Sequence, residues 1–283
     1  MATILKGSEV TAAMNVELTE RVSVLKNKNI TPCLAILRVG ERGDDISYEK
    51  GAEKRCAGIG IEVKKFLLPE DAGQARLIDT INEINSDSAI HGCLMFRPLP
   101  KQYDEEAARN ALCPAKDVDG ITDGSLAGVY AGEEKGFPPC TAAACMEILD
   151  HYDIDLKGKK VTVIGRSLVI GKPAAMMLLK KNATVTICHT KTVDMPAICR
   201  EAEVLIVAAG RAGIVGSDYF TEGQTVIDVG INVDANGNLC GDVKFDDAEK
   251  IVSAITPVPG GVGTVTTSVL AKHVVEAAER TAI

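Results

Sequence analysis

The stretch VTVIGRSLVIGKP at 161–173 constrains the fold of this chain more than any other. A β-branched run, Val161-Thr162-Val163-Ile164, leads directly into a Gly165-Arg166-Ser167 turn, and Gly171-Lys172-Pro173 follows where a helix can begin. A buried parallel strand reads as a continuous apolar run, and a glycine at its carboxyl end lets the backbone turn closely past a ligand. Pro173 suits a first helical turn, whose free amides and positive dipole end attract a pyrophosphate. Five residues separate the two glycines, one more than in the usual phosphate loop, and Pro173 stands where that loop has Ser or Thr. The motif alone therefore leaves open a plain strand-to-helix turn.

The next residues narrow the choice. A helix is expected over 174–181 and a second β run over 183–188, ending in His189-Thr190-Lys191, so a βαβ unit closes within about 30 residues. In such units the end of the second strand meets the adenosine ribose, where a carboxylate would bind the 2′-hydroxyl of NAD. This chain offers Thr190 and Lys191 there, with Arg166 in the turn, which suits a 2′-phosphate. The expected cofactor is NADP.

Upstream, Val10, Met14, Leu18, Val22 and Leu25 recur at helical spacing within 8–27, and 33–39 (CLAILRV) reads as a buried strand. The pattern continues as helix 44–57, strand 62–67, helix 72–85, strand 90–96 and helix 102–112, with Asp117 to Gly120 in a loop. Thr141 is a plausible N-cap for a helix over 142–151. Strands at 204–208 and 225–229 precede a glycine-rich loop at 256–266 and a last helix over 268–278. Alternating strands and helices mean parallel α/β layers. With 283 residues, 46% of them hydrophobic, two cores can form. The expected division is 1–141, completed by a C-terminal helix at 267–283 packing back, and 142–266.

Function classes fall away on composition. No apolar run approaches the roughly 18 residues of a membrane span, and MATILKGSEV lacks the layout of a signal peptide, so a cytoplasmic location is expected without a membrane partner. Nine cysteines without a C-x-x-C pair, and four scattered histidines, fit reduced core residues and no metal site. A net charge of −8 argues against nucleic acid as the main partner.

Five loop motifs occur in one order: KDVDG at 116–120, PPCT at 138–141, the 165–173 turn, DVGIN at 228–232 and PVPGGVG at 257–263. Over essentially its full length the chain resembles the methylenetetrahydrofolate dehydrogenase/cyclohydrolase family. The resemblance implies an α/β fold of two domains, an N-terminal parallel α/β substrate domain and a Rossmann-type NAD(P)-binding domain, with the folate cleft between them, usually as a homodimer. It implies oxidation of methylenetetrahydrofolate to the methenyl form by NADP in one-carbon metabolism, with tetrahydrofolate derivatives, polyglutamylated or not, as ligands. Asp119 matches the family's pterin-binding aspartate, and Tyr48 the tyrosine that stacks on the aminobenzoate ring. Gly165, Arg166, Ser167 and Gly171 match its phosphate turn, Thr190 takes its usual serine position, and Ile231 falls beside the nicotinamide. Pro259, Gly260, Gly261, Val262 and Gly263 match a loop closing over substrate and cofactor.

The hydrolytic half of that pattern uses a lysine four residues after the tyrosine and a glutamine at the end of a later strand. Counting from Tyr48 gives Ala52, and Phe96 occupies the glutamine position. Lys50 and Lys54 each lie about 200° around a regular helix from Tyr48 and Ala52 respectively, facing away. Cyclohydrolase activity is therefore doubtful. Thr264-Val265, Ala142 and Ala209 are milder departures from the family's residues. Three alternatives stay open: a fully bifunctional enzyme making 10-formyltetrahydrofolate with Arg97 or a shifted Lys50 moving the protons, an inactive folate and nucleotide sensor, and a Rossmann oxidoreductase for another substrate.

Overall fold

Cys33–Val39, a strand buried at every position, lies at the centre of a three-stranded parallel sheet, between Glu62–Leu68 and Gly92–Met95. Burial on both faces explains its unbroken apolar run, and each Leu or Ile so buried contributes about 1.5–3 kcal/mol. Helix Gln74–Ser86 lays Leu77, Ile81 and Ile84 on this core at helical spacing, beside Leu99, Tyr103 and Leu112.

Helix Gly43–Ile59 buries the stripe Asp45, Glu49, Ala52, Cys56 and Ile59. An ion pair fixes its rotation: Arg38 Nε, on the central strand, donates to Glu49 Oε2 at 2.8 Å, and Lys65 Nζ reaches Glu49 Oε1 at 3.3 Å. Burial alone would raise the Glu49 carboxyl, but the hydrogen bonds from Arg38 and Lys65 outweigh it and hold it below its ordinary range. Both cations come from neighbouring strands of the sheet, so Tyr48, adjacent to Glu49, is held in place by the strand-to-helix bridge.

The computed structural model describes residues 1–282, and these separate into two units, described in turn. The sheet above belongs to a unit of Ala13–Cys140 and the chain from Thr267 on. The other unit holds Met1–Ala12 and Thr141–Thr266. Its six strands are all parallel, in the order Thr3–Ile4, Ala254–Ile255, Thr225–Asp228, Val204–Val207, Lys160–Ile164, Thr184–Cys188. Lys160–Ile164 has its sequence successor on one side and the following strand on the other. That makes its carboxyl end the topological switch point, where doubly wound sheets bind ligands.

The structure corrects the expected boundaries. Residues 1–12 join the second unit, because Thr3–Ile4 pairs with Ala254–Ile255 at the sheet edge, a two-residue strand too short to carry a sequence signal. Thr141 is not a cap; it lies inside helix Cys140–His151. The last helix begins at Val262, well before 268, so Val262 and Gly263 belong to its first turn and not to a loop. All nine cysteines are unpaired, and seven are buried. Among the described residues, no helix is long and apolar enough to cross a membrane.

Candidate functional site

In the first unit, Tyr48 and Phe96 meet edge to face, with ring centroids 5.9 Å apart and planes at 83°. Phe96 ends the Gly92–Met95 strand and is 8% exposed, and Ala52, one turn along the helix from Tyr48, is fully buried. The positions where the family resemblance expects glutamine and lysine are thus an apolar wall. Lys50 and Lys54 are exposed on other faces of the same helix. Arg97, beside Phe96, is partly buried and pairs with Glu105 at 3.4 Å, while Glu105 Oε2 also accepts the Leu99 N–H at 2.8 Å.

Asp119 lies in the turn that follows Pro114–Lys116. Its neighbour Asp117, fully buried, accepts the N–H groups of Ile121 and Thr122 at 3.0 and 2.8 Å, and so sets the turn's shape. Burial pushes the Asp119 carboxyl up to about 6; Cys140 and the Arg97 charge pull against that rise, and the Asp117 charge adds to it. Such surroundings strengthen any hydrogen bond that the carboxyl makes.

In the second unit, Gly165 and Gly171 fold against each other. A Cβ on Gly171 would stand 2.2 Å from the Gly165 carbonyl oxygen, and one on Gly165, at φ +129°, would stand 2.4 Å from the Ala208 carbonyl oxygen. The wider glycine spacing is accommodated because the turn doubles back on itself, which needs hydrogen at both positions. Ser167 Oγ accepts the Ile170 N–H at 3.2 Å and the Ser167 carbonyl accepts the Lys172 N–H at 3.0 Å. Helix Gly171–Lys180 starts without a side-chain cap, and Arg166 and Ser167 are exposed beside it. An uncapped helix start behind a glycine cradle at a switch point fits a dinucleotide's phosphates. Thr190 is exposed in a turn closed by Thr192 Oγ1, which accepts the His189 N–H at 2.8 Å.

The 228–232 loop is tied down by two carboxylates that motif reading passed over. Asp228 accepts the N–H groups of Gly230, Asp242 and Val243 at 2.9–3.1 Å, yet burial still pushes it up to about 6. Asp242 accepts the backbone N–H groups of Ala209, Gly210 and Arg211 at 2.6–2.8 Å and the Asn232 side-chain amide at 2.9 Å. Residue 209 enters this network through its backbone alone, so alanine there costs the network nothing. Ile231 stays 68% exposed and reaches the helix start, where a Cβ on Gly263 would lie 3.3 Å from Ile231 Cδ1. The structure thus brings Ile231 together with the Pro259 to Gly263 segment.

Two family models cover the chain. The catalytic domain of tetrahydrofolate dehydrogenase/cyclohydrolase matches residues 5–119, and its NAD(P)-binding domain matches 139–282. The chain belongs to the tetrahydrofolate dehydrogenase/cyclohydrolase family. It is 53% identical over 281 residues to the bifunctional protein FolD of Carboxydothermus hydrogenoformans, covering 99% of this chain and 98% of that one. A crystal structure of the bifunctional FolD of Campylobacter jejuni superposes with a TM-score of 0.96 at 39% identity, covering 99% of this chain and 100% of the other. The Trypanosoma brucei FolD, solved with NADP cofactor and an inhibitor, superposes at 0.92 with 34% identity, covering 99% and 98%.

Within this dehydrogenase/cyclohydrolase frame, two residues around Asp119 had escaped notice. Cys140 sits in the PPCT motif, but nothing in its spacing from 119 signals contact. His273 is one polar residue on the buried face of the last helix, 4% exposed, where a core histidine would look the same.

Proposed function

We infer that the chain oxidises methylenetetrahydrofolate to methenyltetrahydrofolate with NADP as hydride acceptor. The observation that carries this reading is the Asp119 carboxyl in the turn whose shape Asp117 sets, in a chain that belongs to the tetrahydrofolate dehydrogenase/cyclohydrolase family. When bound, NADP supplies the nicotinamide carbon that receives the hydride. The chain's own residues supply alignment, since hydride transfer needs donor and acceptor carbons held in register and no proton relay. Asp119 accepts hydrogen bonds from the pterin and fixes the ring. Tyr48, braced edge-on by Phe96, offers its ring to the aminobenzoate group. Gly165, Arg166, Ser167 and Gly171 take the phosphates, Arg166 with Thr190 takes the 2′-phosphate, and Ile231 packs by the nicotinamide. The segment Pro259, Gly260, Gly261, Val262 and Gly263 contacts substrate and cofactor. The preference for NADP is supported by the T. brucei relative solved with it. A homodimer and a cytoplasmic setting belong to the same reading and rest on family membership.

The relatives' names favour a second reading, in which the same chain also hydrolyses the methenyl product to 10-formyltetrahydrofolate. Ala52 and Phe96 weigh the other way, because hydrolysis moves protons and an apolar wall has none to move. Cofactor reduction by the purified chain with methylenetetrahydrofolate tests the first reading, and no reduction of NADP or NAD would refute it. Ala52→Lys with Phe96→Gln tests the wall: methenyl hydrolysis is expected to rise at least tenfold. Loss of the Tyr48–Phe96 contact would lower stability by about 1 kcal/mol.

A further inference from the structure

Val204–Val207 and Thr225–Asp228 are hydrogen-bonded neighbours in the parallel sheet, so the loops that leave their carboxyl ends emerge side by side, at the edge where doubly wound sheets bind ligands. One side chain joins those loops. Asp242 is fully buried, and its Oδ2 accepts the N–H groups of Ala209 and Gly210 in the first loop at 2.6 and 2.8 Å. Its Oδ1 accepts the Arg211 N–H at 2.8 Å and, from the second loop, the Asn232 side-chain amide at 2.9 Å. Four donors on two oxygens fill the lone-pair sites of a carboxylate. With Gly210 at φ +67°, the three successive amides of 209–211 converge on one point, a backbone arrangement that binds anions. The chain fills it with its own carboxylate.

Asp242 is itself held from behind. The chain runs out through Asn232–Val233 and returns antiparallel through Leu239–Cys240, which brings residue 242 back to the loop it left. There Asp228 Oδ1 accepts the Asp242 N–H at 3.1 Å and Oδ2 the Val243 N–H at 3.0 Å, while the Asp242 carbonyl accepts the Val215 N–H at 3.0 Å. Ile231 is bracketed by this arrangement. On one side the Gly230 N–H goes to Asp228 Oδ1 at 2.9 Å, and on the other the Asn232 side chain goes to Asp242. Ile231 itself is exposed, so its place is set through its two neighbours and not by burial.

We propose that Asp242 is a positioning residue for the nicotinamide end of the cofactor: by tying the 209–211 amides to Asn232, it fixes the loop that carries Ile231 against the neighbouring loop. The inference rests on the reading that NADP binds with its nicotinamide beside Ile231. The turns assigned to the other end of the cofactor are closed by hydrogen bonds of their own, Ile170 and Lys172 to Ser167 in one and His189 to Thr192 in the other. Loss of the Asp242 tie therefore misplaces the nicotinamide and spares the adenosine end.

Two variants of the full chain test this. Asp242→Asn keeps the shape but turns amide N–H groups toward donors that the carboxylate accepted. Asn232→Ala removes one of the four hydrogen bonds and leaves Asp242 in place, so it decides the matter even where the first variant folds poorly. Adenosine 2′,5′-bisphosphate, which has the 2′-phosphate end of NADP and no nicotinamide, counts the folded cofactor sites in each preparation. The expected result is unchanged affinity for that fragment, with kcat for NADP reduction per fragment-binding site lowered about tenfold or more in Asp242→Asn and by a smaller factor in Asn232→Ala. A purely structural role would reduce the number of fragment-binding sites and leave kcat per site at the parent value. That result would overturn the proposal, as would a loss of fragment affinity in step with kcat. Absence of cofactor reduction by the parent chain would overturn the reading beneath the proposal, and the proposal with it, whereas an active parent with unaffected variants would overturn the proposal alone.

Discussion

The 117–121 turn and the 165–171 turn solve opposite problems. The first presents a negative charge and is enclosed: Asp117 satisfies its amides, and Cys140 and His273 reach it from two separate helices. The second is open, with a helix start that carries no side-chain cap, shaped by two glycines packed against each other and one serine hydroxyl. A carboxylate in a buried turn needs side-chain partners to stay ionised and aimed. A phosphate cradle needs space and a helix end, which backbone alone provides. The enclosed turn should therefore fail through its side chains and the open one through its backbone.

The largest effect is expected from Asp119→Asn, which keeps the shape and removes the charge: kcat/KM for methylenetetrahydrofolate should fall by about 10²-fold or more, with NADP affinity, read by fluorescence titration, unchanged. Loss of both would break the separation between the two turns. Next is the acid limb of stability. His273 is depressed to about 4 in the folded chain from an ordinary 6.5, so the unfolded chain binds its proton first. The stability it contributes is complete above its unfolded value and is lost as pH falls through the folded one, up to about 3 kcal/mol. Asp119 and Asp228, raised to about 6, act in the opposite sense, since the folded chain takes up their protons first as pH falls. Thermal melts of His273→Asn between about pH 6.5 and 4 should show a shallower acid loss than the parent. Gly171→Ala should weaken NADP binding by about 2 kcal/mol and lower the melting temperature, because its Cβ would press on the Gly165 carbonyl. The smallest effect is Arg166→Ala, expected to weaken NADP about tenfold and NAD much less. Equal losses would remove the 2′-phosphate role.

The same contrast explains what could be read from the sequence. The cofactor turn was legible because its geometry is local: Ile164, Gly165, Gly171 and Pro173 lie within one short stretch. Strand Cys33–Val39 and helix Gln74–Ser86 were legible because burial imprints a period on them. The Asp119 turn was legible only as a motif, since its partners Cys140 and His273 are joined to it by packing and carry no spacing rule. Thr3–Ile4 and Ala254–Ile255 were missed because two residues hold no pattern. Asp228 and Asp242 escaped because a carboxylate that accepts backbone amides looks in sequence like any loop aspartate.

The central claim is that the polar half of the first unit's site is intact while the wall at Ala52 and Phe96 cannot move protons. One assay tests both parts: purified chain, methylenetetrahydrofolate and NADP, with reduced cofactor and methenyl product followed separately against a protein-free control. The expected result is equal amounts of both products, with methenyltetrahydrofolate decaying at the control rate. Methenyl loss that accelerates in proportion to protein, or no cofactor reduction at all, would contradict it.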